Sequence, residues 1–139
     1  MRELSPWARK SQGRDAHRAV YAGYIVSPKW FARRARWEKD ELARTAGPVT
    51  CVGGCGRPWR LNADDLHHCS YDRLGDEYHE DLWPMCRSCH TELHQVLDSS
   101  KSWRKLNRAS ANRQALLQLQ RRHSPGDTAS PTAGFSHYW

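Results

Sequence analysis

Long apolar runs are missing from this sequence. Apolar residues make up 38% of its 139 residues, and no stretch approaches the length of a membrane span. The N-terminus is charged and lacks the apolar segment of a secretory signal. These absences exclude a transmembrane helix and predict a cytoplasmic protein without a membrane partner. Paired cysteines in that reducing compartment bind metal more often than they form disulfides.

The low apolar fraction also predicts a thin hydrophobic core. At 139 residues the chain has room for one small domain plus extensions. Such domains often need a metal or disulfides for stability. Cys51 and Cys55 form one close pair, and Cys86 and Cys89 form a CxxC pair. Four thiolates in two pairs suit tetrahedral zinc, so we predict a structural Zn²⁺; a disulfide or redox CxxC is the alternative. Cys69 is predicted to be a small packing residue.

Charge is unevenly distributed along the chain. Residues 1–46 carry eleven Lys and Arg against five acids, residues 47–98 carry four against nine, and residues 99–139 carry seven against one. Basic segments on both sides of an acidic, metal-type segment suit a polyanion held by the flanks. The alternative is that the basic flanks only keep the protein soluble.

Local signals predict several elements. Residues 16–26 favour a short helix, and Ser27 followed by Pro28 predicts the start of a longer helix that runs to Thr45. Residues 59–71 suggest two short strands joined by a turn at 62–65. RSCHTELHQVLD is typical of a helix, and a second, basic helix is predicted over 103–122. The first fifteen residues and the tail from 124 show no such pattern.

The first long helix should bury its apolar face and expose its basic residues. The side chains predicted to be buried are Trp30, Phe31, Ala35, Trp37 and Leu42. The residues predicted on the wetter side are Arg33, Arg34, Arg36 and Lys39. Helical spacing explains the aromatic residues as core, although stacking on nucleotide bases is the alternative.

Four histidines lie within the metal-type segment. His67 and His68 are adjacent, so on a strand they face opposite sides. His90 and His94 are four residues apart, so on a helix both imidazoles point the same way. One member of the doublet with His90 and His94 would make a three-histidine site with open positions, which is typical of a catalytic metal site. The doublet alone is weak evidence, since surface histidines are the alternative.

The motifs LHHCSYDRLGDE and DLWPMCRSCH, followed by a further His four residues on, resemble the HNH endonucleases in their four-cysteine zinc-knuckle branch. This family belongs to the ββα-metal, or His-Me finger, nucleases. The resemblance covers roughly residues 21–94. It implies a small zinc-stabilised α+β fold, a ββα-metal finger, here flanked by basic helices.

The resemblance also implies a role for each matched residue. His67, His90 and His94 would bind the catalytic divalent cation, which could be Mg²⁺, Mn²⁺, Ni²⁺ or Zn²⁺. His68 would be the general base that takes a proton from water. Asp81 occupies the place of the family's usual Asn and would hydrogen-bond His68 to orient its ring. The four cysteines would hold the scaffold zinc and take no part in the chemistry.

These expectations combine into a metal-dependent DNA endonuclease of a bacterial or phage-infected cell. Its predicted parts are a basic arm and helix over 1–46, the nuclease domain over 47–98, a basic helix over 99–123 and a tail over 124–139. DNA would be held through its phosphates by the basic flanks. The alternative function is a non-catalytic zinc module that binds nucleic acid or joins a phage packaging or recombination complex.

Overall fold

The computed structural model describes residues 16–124; the predictions for residues 1–15 and for the tail beyond 124 lie outside that range. The described elements are α1 (residues 16–24), α2 (Pro28–Thr45), β1 (Asp65–His68), a 3-10 helix (His79–Asp81), β2 (Leu82–Met85), α3 (Arg87–Asp98), α4 (Ser102–Lys105) and α5 (Arg108–His123). The predicted α+β class is confirmed. Within 16–124, none of the helices is both long and apolar enough to cross a bilayer.

Helix α2 begins and ends as its sequence predicts. The Ser27 hydroxyl accepts a hydrogen bond from the Trp30 amide at 3.2 Å, and Pro28 occupies the first turn, where its missing N–H costs nothing. The helix ends at Ala46, which adopts a left-handed φ of 53°, and the Ala46 amide donates to the carbonyl of Leu42 at 3.0 Å. The sequence predicts that Gly47 and Pro48 end this helix; the left-handed residue is instead Ala46, one position earlier.

The buried face of α2 differs from the predicted one. Trp30 and Trp37 are buried as expected, but three predicted core residues are exposed: Phe31, Ala35 and Leu42. Arg33, predicted on the wetter side, is only 5% exposed. Its guanidinium donates to the main-chain carbonyl of Glu77 at 3.0 Å, so this part of the helix packs on a polar loop. The prediction failed because helical periodicity does not reveal a polar partner far along the chain.

The sheet joins two distant segments, and the predicted hairpin within residues 59–71 is wrong. In the described chain, β1 pairs with β2 in antiparallel register, with His67 opposite Trp83 and His68 opposite Leu82. Residues 61–63 do form a turn. The segment before that turn pairs with an earlier part of the chain, since the Trp59 amide donates to the main-chain carbonyl of Val49 at 2.8 Å. Thus a local turn signal did not identify the strand partner.

Helix α3 has the predicted bounds, but the predicted helix over 103–122 is divided. Leu106 is extended, and Asn107 starts α5 by accepting a hydrogen bond from the Ser110 amide at 2.8 Å. Asn favours this cap position because its short side chain reaches the first free amides. The break separates the short α4 from α5.

Two hydrophobic clusters lie in the described chain. One contains α2 with Trp59, Leu66 and Leu82. The other joins the cysteine segments, α3 and α5, and Leu116 and Leu119 of α5 are fully buried in it. The basic C-terminal helix therefore shares a core with the segment 47–98.

Candidate metal centres

Four cysteines converge where the first cysteine pair meets the start of α3. Their sulfur atoms all lie within 4.8 Å of one another, and Cys55 Sγ is 3.9 Å from Cys86 Sγ. A tetrahedral zinc with bonds of about 2.3 Å would place its sulfurs about 3.8 Å apart. All five cysteines of the chain lie in the described residues 16–124 and are free, so none forms a disulfide. The four-cysteine site could therefore hold a metal such as zinc.

Backbone amides point at the sulfurs of this site. Cys51 Sγ accepts from the amides of Gly53 and Cys86, both at 3.3 Å, and Cys86 Sγ accepts from the amide of Cys89 at 3.5 Å. Such hydrogen bonds stabilise thiolates. The geometry fits the knuckle that the sequence predicts.

Burial makes two of the four thiols harder to deprotonate. Burial raises the pKa of Cys51 to about 12, and burial also raises the pKa of Cys89. Burial acts in the same direction on Cys86, but hydrogen bonds from Cys89 and the other sulfurs outweigh it, so its pKa is lowered. Since the metal-bound form is the thiolate, a metal bound here would displace protons, and its binding would weaken at acid pH.

Helix α5 braces this four-cysteine site from the far end of the described chain. The Gln120 side chain donates to the Val52 carbonyl at 2.7 Å, and His123 Nδ1 lies 2.7 Å from the Gly53 carbonyl. Neither contact has a local sequence signal, because the partners are 68 and 70 positions apart. His123 thus has a role in the packing that its isolated position in the sequence did not indicate. Cys69 lies outside the site, with its Sγ 3.4 Å from the Glu80 carbonyl.

Gly53 is required by the close approach of Cys89. A Cβ added at Gly53 would lie 2.7 Å from both Cβ and Sγ of Cys89. We expect Gly53→Ala to displace a ligand and lower the thermal midpoint of the metal-loaded protein by several degrees. Gly23→Ala is the matched control, because a Cβ there meets nothing within 4 Å. Equal thermal midpoints for the two variants, measured by circular dichroism, would contradict this reading of the knuckle.

Three histidines form a second cluster. His67 of β1 and His90 and His94 of α3 bring ring nitrogens within 4.8 Å of one another. His90 Nε2 lies 3.1 Å from His67 Nδ1 and 3.0 Å from His94 Nε2. His67 is buried, whereas His94 is exposed, so the cluster opens to solvent on the His94 side. The structure brings together the three histidines that the sequence predicted.

The environment of His90 fixes which of its nitrogens faces the cluster. Its Nδ1 lies 2.9 Å from a carboxylate oxygen of Asp65, which can only accept when ionised. The hydrogen bond from His90 lowers the pKa of Asp65, so this carboxylate is ionised. His90 Nδ1 therefore carries a proton, and in the neutral ring Nε2 presents its lone pair to His67 Nδ1 and His94 Nε2. A carboxylate behind a histidine in this way is typical of metal ligands.

Two imidazoles of the cluster, those of His67 and His94, favour the neutral form that binds cations. Burial lowers the pKa of His67 well below its ordinary value, and the proximity of His90 lowers it further. Burial also lowers the pKa of His94, again with a contribution from His90. Three imidazoles with a solvent-facing side could hold a metal and leave room for other ligands.

His68 lies in a separate environment from His67. Its ring is 1% exposed and contacts Trp30 at a centroid distance of 4.7 Å, Tyr21 at 5.7 Å and Tyr71 at 5.8 Å. The alternation of side chains along β1 accounts for the two environments. Among residues 16–124, the buried Nδ1 of His68 has no hydrogen-bond partner.

Glu77, rather than Asp81, binds His68, so the predicted hydrogen bond between Asp81 and His68 is wrong. Glu77 Oε2 is 2.7 Å from His68 Nε2, and its other oxygen accepts from the Tyr24 hydroxyl at 2.9 Å. Burial alone would raise the pKa of Glu77, but hydrogen bonds, first that from His68, lower it below its ordinary value. The ionised carboxylate accepts a hydrogen bond from the N–H at Nε2, which leaves the lone pair of His68 on Nδ1.

The carboxylate of Asp81 has other partners. It binds the Arg73 guanidinium through two contacts, at 2.5 and 2.8 Å, and it accepts from the Tyr78 amide at 2.9 Å. Asp81 closes the 3-10 helix that precedes β2. Glu77 ends the motif LHHCSYDRLGDE, but the sequence-based prediction gave it no role and assigned Asp81 to His68 instead, because the motif does not show which acidic side chain folds back to the histidine.

No family model, curated protein or solved structure matches this chain. The two clusters themselves therefore carry the functional argument, one of four cysteines and one of three histidines.

Proposed function

We propose that this protein is a metal-dependent endonuclease that hydrolyses phosphodiester bonds, and that β1, β2 and α3 form a ββα-metal unit. The observation that carries the proposal is the three-histidine cluster, whose nitrogens lie within 4.8 Å of one another and which opens to solvent at His94. The four-cysteine site next to it holds Zn²⁺ and keeps the start of α3 in place.

An open three-histidine site favours catalysis over a structural role. Structural zinc sites are closed by four protein ligands, whereas catalytic sites keep a position for water or substrate. A divalent cation bound here would neutralise a phosphate and stabilise the departing 3′ oxygen. The protein's own contribution is to hold His90 by Asp65 and to keep the site accessible beside His94.

His68 and Glu77 supply the proposed general base. Glu77 Oε2 lies 2.7 Å from His68 Nε2 and keeps the proton of the ring on that nitrogen. Nδ1 is therefore the nitrogen that takes a proton from the attacking water. Among the described residues this Nδ1 has no other partner, which supports the assignment. The ring is 1% exposed and is surrounded by aromatic rings, so in this proposal the rings around it shift to admit water when substrate binds.

The charge distribution supports a nucleic acid as substrate. The segments 1–46 and 99–139 are both strongly basic, although the segment between them is acidic. Lys and Arg on the flanks would contact phosphates without regard to sequence, and binding would weaken as salt rises. DNA, with 5′-phosphate and 3′-hydroxyl products, follows from the resemblance to HNH endonucleases.

Plasmid cleavage tests the proposal. The wild-type protein is expected to nick supercoiled DNA with Mg²⁺, Mn²⁺, Ni²⁺ or Zn²⁺ and to stop when EDTA is added. His94→Ala removes an exposed ligand, so it should lower the cleavage rate at least 100-fold while the fold is retained. Gln95→Ala, a neighbouring exposed change on α3, should cleave at the wild-type rate. Cleavage that continues in EDTA, or equal rates for His94→Ala and Gln95→Ala, would refute a metal-dependent nuclease with its cation at the three histidines.

One observation favours a second function, a non-catalytic zinc module that binds nucleic acid. The ring of His68 is 1% exposed, so it serves equally well as a buried partner of Glu77 in the core. This alternative predicts plasmid binding without cleavage under every ion, and unchanged binding by His94→Ala.

A further inference from the structure

Helix α5 reaches the three-histidine cluster through one buried side chain. Asn112 is 1% exposed, and its Oδ1 makes a short hydrogen-bond contact with Nε2 of His67. The two residues are 45 positions apart, and Asn112 lies beyond the segment that resembles the endonucleases. Neither the motif nor its spacing indicates this contact.

The orientation of the Asn112 amide is fixed by its second hydrogen bond. Its Nδ2 donates to the main-chain carbonyl of Arg108, one turn earlier in α5, at 2.8 Å. A carbonyl oxygen only accepts, so the nitrogen of the amide must face Arg108 and the oxygen must face His67. That oxygen in turn only accepts, and so the proton of His67 resides on Nε2.

The two histidines thus present lone pairs to each other. His67 keeps its lone pair on Nδ1, and Asp65 leaves the lone pair of His90 on Nε2, 3.1 Å away. Two lone pairs at hydrogen-bond distance repel unless a proton or a metal cation lies between them, and a metal cation can be held by both nitrogens at once. Asn112 and Asp65, on opposite sides of the cluster, create this arrangement together.

We propose that Asn112 is a positioning residue of the metal site, which makes His67 bind the cation through Nδ1 while His90 and His94 bind through Nε2. The proposal rests on the cation site of the proposed function, but it does not require cleavage. An Asn in the buried stripe that also contains Ala111, Ala115 and Leu116 costs desolvation that a leucine there would avoid. The hydrogen bonds to His67 and Arg108 offset that cost.

Metal affinity tests the proposal on the full-length protein with zinc bound at the four cysteines. Calorimetric titration with Ni²⁺ is expected to show binding 10- to 100-fold weaker for Asn112→Leu, about the usual effect of losing a ligand's hydrogen-bond partner. Asn112→Asp retains an acceptor for His67 Nε2, so it should keep most of the wild-type affinity. Wild-type affinity in Asn112→Leu would overturn the proposal.

Gln120→Leu is the control for a merely structural role. Gln120 is also a buried polar residue of α5, and it donates to the Val52 carbonyl at 2.7 Å, near the four-cysteine site. This variant should lose about as much stability as Asn112→Leu but keep the Ni²⁺ affinity of the histidine site. Equal loss of affinity in both variants would mean that Asn112 acts only through stability.

The nitrogen through which His67 binds the cation can be identified directly in the wild-type protein. Long-range ¹H–¹⁵N spectra of the Zn²⁺-saturated protein should show His67 bound through Nδ1 and protonated at Nε2. Binding through Nε2 would refute the proposal even if every variant failed to fold. If wild-type protein binds as described but never cleaves DNA, the nuclease fails and the role of Asn112 stands.

Discussion

Cys86→Ser is expected to unfold the protein. Structural zinc sites contribute about 10–16 kcal/mol of apparent binding free energy, which is comparable to the whole stability of about 5–15 kcal/mol of a typical domain. Cys86 is placed to bind the metal and also caps α3, since its Sγ accepts from the Cys89 amide at 3.5 Å. We therefore expect loss of the cooperative thermal transition by circular dichroism, together with loss of bound zinc by atomic absorption.

Cys69→Ser is the control for this experiment. Cys69 is also buried, but it lies outside the four-cysteine site, and a serine hydroxyl could still donate to the Glu80 carbonyl that its Sγ contacts at 3.4 Å. This variant should keep one structural zinc per chain and a cooperative transition. If Cys86→Ser instead melts like the control, the metal does not stabilise the fold. A strong chelator should reproduce the effect of Cys86→Ser in the wild-type protein.

Glu77→Gln and His68→Ala are expected to lower the rate of DNA cleavage by about 10²–10⁴, the range for loss of a general base or of the group that orients it. Gln has one oxygen and one NH₂ group, so it cannot accept from both His68 and Tyr24 as the carboxylate of Glu77 does. His68 would then lose its fixed tautomer. Single-turnover cleavage with saturating metal measures this step.

Asp81→Asn distinguishes the two candidate partners of His68, which are Asp81 from the sequence and Glu77 from the structure. Asp81 binds Arg73 and the Tyr78 amide, so this variant should lose some stability but cleave within a few-fold of the wild-type rate. A large loss in Asp81→Asn with normal cleavage by Glu77→Gln would restore the sequence-based assignment. Thermal melts of all three variants show whether a low rate reflects unfolding.

Helix α5 connects the two clusters. Its first half places Asn112 against His67, and its second half places Gln120 and His123 against the first cysteine segment. One helix thus contributes side chains to the surroundings of both clusters. The basic residues of α5 thus belong to an element that supports the fold as well as contributing positive charge.

The sequence by itself determined the features that depend on neighbouring residues. Ser27 and Pro28 start α2 because a cap needs only the next three residues. Short spacings also place the members of each cysteine pair together, and they place His90 next to His94. A turn or a helix is enough to fix the relative positions of such close residues. These predictions are confirmed because local geometry suffices for them.

Tertiary structure decided which distant groups meet. The strand partner of β1, the burial of Arg33 and the pairing of Glu77 with His68 all depend on how the loop 72–80 folds back. Asn112 reaches His67 only because α5 packs against α3 in the core. No sequence period encodes such contacts: hydrogen bonds between buried polar groups are selected by three-dimensional proximity and by the cost of leaving those groups unpaired.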